Sequence, residues 1–274
     1  MDWEPGTDLW IQTDRARLEA QCWGPSPDIA PTIVMLHEGL GCIALWRDLP
    51  ERLAEATGCG VLAYSRQGYG RSDPCELPRG IDYMHVEGEV VLPAVLDAIG
   101  FRRGVTLGHS DGGSIAALHL GGVRDHRVRG AILLAPHFFV EDCSVQAIAS
   151  AGKDYRSGDL RDRLARYHTD VDCAFLGWNQ AWLNPAFRSW NITQALTYLQ
   201  VPVLAFQGMD DPYGTRAQVD VIAEEMYAPA EIHLMEGVGH APHRDRPDEV
   251  LEVIGDFLHR LARIDDASLR VPDD

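Results

Sequence analysis

The sequence predicts an α/β protein with a doubly wound, mostly parallel sheet and an inserted segment of helices. Short apolar runs alternate with longer amphipathic stretches over most of the 274 residues. These apolar runs are continuous and lack a two-residue alternation, which is typical of strands buried on both faces. Strands that alternate with helices predict a parallel sheet covered by helices on both sides. The alternation stops near 139–198, where no run predicts a strand.

The elements follow in order along the chain. Strands are predicted near 8–12, 17–23, 32–36, 61–64, 104–108, 131–134, 202–207 and 231–235. No helix separates the first two, so we expect them to form an antiparallel edge. Helices are predicted near 46–57, 83–99, 111–121, 215–226 and 247–262. The last has apolar residues at helical spacing, which indicates one face packed on a core.

The segment 139–198 is rich in aromatic residues and too long for an ordinary crossover between two strands. We expect it to be a small helical cap inserted into the core, which would comprise 1–138 and 199–274. Concave sites form at such junctions, so a few of the aromatic side chains are expected to line a pocket.

Composition excludes several classes of function. There are 24 basic and 41 acidic residues, a formal charge of −17. Such a protein repels nucleic acids and anionic membrane surfaces. Lys153 is the only lysine, and no phosphate-binding loop precedes it, which disfavours Schiff-base and P-loop chemistry. Arginine in place of lysine is typical of a gene from a GC-rich bacterium.

Location and cofactors are predicted from what the sequence lacks. The chain begins with acidic residues and has no apolar run long enough to span a bilayer, so we expect a cytoplasmic protein. Its six cysteines are scattered without a Cys-x-x-Cys pair and are interpreted as reduced thiols. No metal-binding motif occurs among the eleven histidines, and we predict no cofactor. The sequence gives no indication of oligomeric state.

The sharpest motif is Gly-His-Ser-Asp-Gly-Gly at 108–113, between a predicted strand and a predicted helix. A Gly-x-Ser-x-Gly turn in that context exposes the serine above the sheet, where the helix N-terminus favours developing negative charge. Ser110 is therefore the candidate nucleophile.

A serine needs a base, and the base needs an acid that orients it. His240 follows a predicted strand and is our candidate base, with His233 and His243 as alternatives. Asp211 is the candidate acid; Asp210 would then brace the loop, and Glu141 or Asp142 are weaker alternatives.

The oxyanion of a tetrahedral intermediate needs two N–H donors. We expect one from the backbone of Asp111 and the other from the loop after the strand at 32–36, where Gly39 is preferred over Leu40. The candidate pocket residues are Glu38, Leu40, His137, Trp178 and Trp182.

Together these motifs resemble the α/β-hydrolase superfamily over nearly the whole chain. The stretch Ser-Arg-Gln-Gly-Tyr-Gly-Arg-Ser at 65–72, the loop 208–211 and the pair Gly239-His240 also resemble it. In such enzymes the second residue past the histidine of the His-Gly loop donates to the oxyanion, which supports Gly39. The resemblance implies an α/β-hydrolase fold and a Ser-His-Asp triad.

The sequence also departs from the superfamily pattern. Glu38 replaces the first glycine of the His-Gly loop and resembles the Gln-Glu-x-x-Gly loop of dienelactone hydrolases, which use a cysteine nucleophile. Glu38 is expected either to tune the site or contact substrate, or to form an ion pair with Arg66 or Arg71. Haloalkane dehalogenases and epoxide hydrolases carry aspartate at the position of Ser110, so both activities are disfavoured. The His-Gly-Gly-Pro-Gly loop of proline iminopeptidases is absent.

The expected function is that of a cofactor-independent serine hydrolase that cleaves a small carboxylic ester, lactone or thioester through an acyl-enzyme on Ser110. The alternatives with the same triad are a carbon–carbon bond hydrolase of ring-cleavage products and a perhydrolase. A non-catalytic ligand-binding receptor on the same fold is the alternative from another class.

Overall fold

The computed structural model describes residues 3–268. Its eight strands form one sheet in the order β1-β2-β4-β3-β5-β6-β7-β8. The strands are β1 Asp8–Gln12, β2 Arg17–Trp23, β3 Thr32–Leu36, β4 Gly60–Tyr64, β5 Gly104–His109, β6 Val128–Leu134, β7 Val203–Gly208 and β8 Ala230–Met235. β2 runs antiparallel to β1 and β4, and the other neighbours are parallel. The predicted mostly parallel sheet with an antiparallel edge is confirmed.

Helices cover both faces of this sheet. They are α1 Leu49–Thr57, α2 Tyr83–Val86, α3 Leu92–Ala98, α4 Asp111–Leu118, α5 Asp142–Ser157, α6 Leu160–Leu164, α7 Val171–Trp182, α8 Thr193–Leu196, α9 Ala217–Glu225, α10 Pro242–Asp245 and α11 Pro247–Ser268. Short 3₁₀ helices occupy Ile43–Trp46 and Pro185–Ser189, and π-helical segments occupy Glu87–Val91 and His119–Val123.

Two helix predictions differ in detail from the structure. The helix expected at 46–57 begins at Leu49, because a 3₁₀ turn precedes it and Arg47 adopts a positive φ of 56°. The helix expected at 83–99 is interrupted by the π segment Glu87–Val91. There Gly88 packs so closely on α4 that a Cβ would lie 2.8 Å from the Ile115 carbonyl oxygen. Its own carbonyl pairs with His119 Nδ1 at 2.9 Å.

The core lies on both faces of the sheet, which explains the continuous apolar runs. In β3, Val34 and Leu36 pack on the face that includes α3 and α4. Ile33 and Met35, which alternate with them, pack on the opposite face against α1 and α11. All four are fully buried. Because both faces of β3 are covered, its sequence does not alternate between apolar and polar residues.

Between β6 and β7 the chain forms the helical insertion, residues 142–196, which contains α5 to α8. An isolated bridge from Phe139 to Asn191 brings the start of the insertion close to its end. Phe175, Trp178 and Trp182 of α7 are buried in the same apolar cluster as Val34 and Leu36 of the sheet. The insertion therefore packs directly on the core. Within residues 3–268 no helix has the length and apolar character needed to cross a membrane.

Candidate active site

Ser110 lies on the sharp turn between β5 and α4. Its φ of 53° and ψ of −119° are strained for a residue with a side chain. The turn depends on glycine on either side: a Cβ at Gly108 would lie 2.2 Å from the Gly112 carbonyl oxygen, and one at Gly112 would lie 1.9 Å from the Leu36 carbonyl oxygen. The Ser110 amide donates to the Leu134 carbonyl at 2.9 Å, which fixes the turn on the neighbouring strand.

His240 and Asp211 meet at the carboxyl ends of β8 and β7. His240 Nδ1 lies 2.8 Å from Asp211 Oδ2. The Asp211 side chain is 1% exposed and also accepts hydrogen bonds from Gln207 Nε2 at 3.0 Å and the Tyr213 amide at 2.8 Å. Burial alone would raise the pKa of Asp211, but the His240 contact and these donors lower it below its usual value. The carboxylate is therefore ionised and can orient the imidazole.

The alternative acids and bases lie elsewhere. Asp210 is exposed. Glu141 accepts hydrogen bonds from the loop before α9, and Asp142 forms an ion pair with an exposed arginine. His233 pairs with a glutamate of its own strand. His243 is buried and packs edge-on against the His109 ring, 4.8 Å between centroids.

The two predicted oxyanion donors face the same space as Ser110. Asp111 is the first residue of α4, so its amide has no partner within the helix. The Gly39 amide donates no hydrogen bond to any residue within 3–268. Both residues line the cavity that also contains Ser110 and His240. Two free N–H groups beside a serine are what a developing oxyanion requires.

This cavity has a volume of about 120 Å³. It is lined by Glu38, Gly39, Leu40, Ser110, Asp111, His137, Ile148, Trp178, Trp182, Tyr213 and His240. The structure thus brings together all the predicted pocket residues with the candidate nucleophile and base. Sequence reasoning missed Tyr213 and Ile148. Tyr213 follows Asp211 by two residues and could have been suspected, whereas Ile148 on α5 belongs to no motif.

Trp178 forms the wall of the cavity next to the oxyanion loop. A Cβ at Gly39 would lie 2.2 Å from Trp178 Nε1. Only glycine at position 39 allows the indole this close. The helical insertion therefore contacts the loop that carries a predicted oxyanion donor.

The Asp111 side chain has a role that the sequence did not reveal. It is 1% exposed and accepts hydrogen bonds from the Tyr83 hydroxyl and from Trp182 Nε1, the latter at 3.2 Å. Trp182 Nε1 is also 3.0 Å from the Tyr83 hydroxyl. Burial raises the pKa of Asp111. This network ties the turn that carries Ser110 to α2 and to α7.

Glu38 also lines the cavity, and its partner is a histidine. Glu38 Oε2 lies 3.5 Å from His109 Nδ1, and His109 Nε2 lies 2.7 Å from the His240 carbonyl oxygen. Burial opposes ionisation of Glu38, but the neighbouring His109 and His37 lower its pKa well below the usual value. The alternative ion pair with Arg66 or Arg71 is not formed.

The two arginines have other partners. Arg66 donates to the backbone carbonyls of His37 and Glu38, and Arg71 pairs with Asp8 and Glu19. The Glu38 carboxylate is therefore a charged group of the cavity.

His137 completes the wall beside His240, with 5.6 Å between the ring centroids. Burial, and then the nearby His240, lower the pKa of His137 to about 3. His137 is therefore neutral at physiological pH and acts as a polar, uncharged wall. No cluster of three or more metal-binding side chains occurs within the part of the chain that the structure describes.

Comparisons with known proteins show what the chain is similar to. A curated relative, the non-heme chloroperoxidase of Streptomyces lividans, is 25% identical over 82% of this chain and 90% of its own. The bifunctional esterase/perhydrolase of Acinetobacter calcoaceticus is 25% identical over 69% of this chain and 76% of its own. An esterase from Exiguobacterium antarcticum shares the fold with a TM-score of 0.75 and 19% identity, covering 92% of this chain and all of that one.

The fold and these relatives point to one family. Its model, described as the alpha/beta hydrolase family, matches residues 33–253, which include the turn at Ser110 and both loops that carry Asp211 and His240. The chain belongs to the alpha/beta hydrolase family.

Proposed function

We propose that the protein is a serine hydrolase that cleaves a small carboxylic ester, lactone or thioester through an acyl-enzyme on Ser110. The observation that carries this proposal is the contact between His240 Nδ1 and Asp211, with His240 and Ser110 lining one cavity. In this proposal residues 139–198 form a cap whose inner face completes the substrate pocket.

The contact between His240 and Asp211 supports the first half of the proposed reaction. The ionised Asp211 accepts the Nδ1 proton of His240, which leaves Nε2 as the acceptor. His240 Nε2 removes the Ser110 proton as Oγ attacks the carbonyl carbon. The Gly39 and Asp111 amides stabilise the oxyanion, and His240 then protonates the leaving alcohol or thiol. In the second half, His240 activates a water molecule that releases the acyl group.

The size of the cavity favours a substrate with a small acyl group. Its volume of about 120 Å³ is well below the roughly 300–1,000 Å³ typical of sites for drug-sized ligands. The apolar part of its wall includes two indole rings, Ile148 and Leu40, which favour an apolar or aromatic group. Glu38 disfavours an anionic acyl chain.

A hydrolysis panel with an active-site probe tests the proposal. A fluorophosphonate is expected to label Ser110 stoichiometrically, and the protein is expected to turn over at least one short ester, lactone or thioester. Labelling of Ser110 without turnover of any of these substrates would favour a ligand-binding receptor and overturn the proposal that the protein is a hydrolase.

Perhydrolase activity is the second candidate, because one relative is named a bifunctional esterase/perhydrolase. In that reaction hydrogen peroxide, in place of water, attacks the acyl-enzyme. Adding peroxide to the ester assay and measuring peracid separates it from simple hydrolysis.

Trp178→Ala is expected to change acyl-chain preference. Removing the indole opens the wall beside Gly39, so kcat/KM for the next longer acyl chains should rise by roughly tenfold relative to acetyl. Tyr167→Ala is the matched control, since this exposed aromatic residue of the helical insertion does not line the cavity. If kcat/KM depended on acyl-chain length in the same way in both variants, Trp178 would not determine the acyl-chain preference.

Glu38→Gln is expected to change the pH dependence of kcat/KM. Because its pKa is lowered, Glu38 is ionised throughout the working range, and glutamine removes this negative charge from the wall of the cavity. A charge beside reacting groups affects how they gain and lose protons, so the profile of kcat/KM against pH measures the effect. Glu51→Gln, an exposed change on α1, controls for loss of net charge. Superimposable profiles would contradict the tuning role.

A further inference from the structure

Two cysteines outside the cavity lie in direct contact. Cys75 Sγ is 3.2 Å from Cys173 Sγ, and the Cys75 amide points at the same Cys173 sulfur at 3.2 Å. Cys75 belongs to the loop after β4, and Cys173 to the first turn of α7. They are 98 positions apart in sequence. The contact therefore joins the core to the helical insertion.

The surrounding chain leaves room for both sulfurs. A Cβ at Gly68, which has a φ of +90°, would lie 3.0 Å from Cys75 Sγ and 3.3 Å from Cys173 Sγ. A Cβ at Gly177, one turn along α7, would lie 3.6 Å from Cys75 Sγ. A side chain at position 68 would crowd both sulfurs, so glycine there leaves room for their contact.

The start of α7 is already fixed to the core at this point by hydrogen bonds. The Gly70 amide donates to His168 Nδ1 at 3.0 Å, and the Thr169 amide donates to the Gly70 carbonyl at 2.8 Å. The same helix carries Trp178 and Trp182 into the cavity. A covalent bond here would make an existing contact permanent once the two sulfurs approach from 3.2 Å to about 2 Å.

We propose that Cys75 and Cys173 are a redox modification site, a reversible disulfide that fixes α7 to the loop after β4. This inference does not depend on the proposed activity. It revises the expectation that all six cysteines remain reduced thiols, which is their state in the structure.

The oxidant is a hydroperoxide, and the chemistry has two steps. The Cys75 sulfur attacks a peroxide oxygen, the O–O bond breaks, and a sulfenic acid and water form. The Cys173 sulfur then attacks the Cys75 sulfur, the S–O bond breaks, and the departing hydroxide takes the Cys173 proton and leaves as water. Two thiols are oxidised to one disulfide while hydrogen peroxide is reduced to two waters. A dithiol reduces the disulfide to the two thiols again and is itself oxidised to a cyclic disulfide.

The difference in exposure determines which of the two cysteines reacts first with the oxidant. Cys75 is half-buried and lines a surface cavity of about 500 Å³, through which a small oxidant can reach it. Cys173 is 3% exposed, and burial together with its neighbour Cys75 raises its pKa to about 11. Cys75 is therefore the sulfur that meets the oxidant, and Cys173 is the resolving thiol.

Mapping after mild oxidation tests the site. The full chain is treated with stoichiometric hydrogen peroxide, alkylated without reduction, digested and analysed by mass spectrometry. We expect a linked peptide pair joining Cys75 to Cys173, lighter by two hydrogens than the free pair and absent after dithiothreitol. Closing so long a loop is expected to raise Tm by about 5–10 °C, reversibly.

Matched variants complete the test. Cys75→Ser and Cys173→Ser should lose the Tm increase, whereas Cys59→Ser, another half-buried cysteine, should keep it. Oxidation of Cys75 to a sulfinic acid with no link to Cys173 would overturn the proposal, as would the same Tm increase in Cys75→Ser. If a serine variant does not fold, the peptide map of the unaltered chain decides alone.

Discussion

Ser110→Ala is expected to lower kcat for ester hydrolysis by roughly 10⁴–10⁶-fold. The alanine removes the nucleophilic oxygen, and the oxyanion amides alone supply only the residual acceleration. The fold should be unaffected, because the turn rests on the backbone bond from Ser110 to Leu134 and on the flanking glycines, none of which involves Oγ. Steady-state kinetics on short nitrophenyl esters, together with thermal unfolding, measure both effects.

Ser157→Ala provides the control, since Ser157 is exposed at the end of α5 and does not line the cavity. It should retain full activity. Ester hydrolysis by Ser110→Ala at the rate of the unaltered protein would refute an acyl-enzyme on Ser110. Loss of fluorophosphonate labelling in the same variant would identify Ser110 as the labelled residue.

Asp211→Asn is the second change with a large expected effect, a fall in kcat of about 10⁴-fold near neutral pH. An amide that turns its NH₂ group toward His240 favours the tautomer with the proton on Nε2, which cannot accept the Ser110 proton. Because the Tyr213 amide and Gln207 also donate to Asp211, the carbonyl oxygen of the introduced amide still gives the loop one acceptor. KM should change little, since Asp211 does not line the cavity.

The neighbouring aspartate supplies the comparison. Asp210→Asn removes the same charge one residue earlier, at an exposed position. It should leave kcat within about twofold of the unaltered value, as surface substitutions do. If kcat fell equally in the two variants, or fell further in Asp210→Asn, the assignment of Asp211 as the acid would be wrong.

The strands were predictable because each is buried on both faces or forms a regular edge. β1, β2 and β3 have the expected limits. β6 begins at Val128, earlier than expected, because Gly130 and the exposed Arg129 interrupt its apolar run. The π segments were not predicted from the sequence, and they contact each other through Gly88 and His119, which are 31 positions apart.

The motif positions of the candidate site were equally predictable, but its cross-strand contacts were not. Glu38 faces His109 because β3 and β5 are parallel neighbours, with Leu36 opposite Gly108. That register places the loop after β3 beside the turn after β5. Tyr83, which donates to Asp111, comes from a helix 28 positions earlier and carries no motif of its own. Such contacts arise from packing, which spacing along the chain does not encode.

The contact between Gly39 and Trp178 has a consequence for how this enzyme could diverge. A side chain at position 39 meets the indole at 2.2 Å, whatever its chemistry. A lineage that acquires a larger residue at 39 must first have a smaller one at 178, whereas a smaller residue at 178 can be acquired while position 39 is still glycine. The effect of a substitution at position 39 therefore depends on the residue at position 178, and the substitution at 178 has to come first. Libraries that diversify position 39 alone would sample almost only inactive sequences.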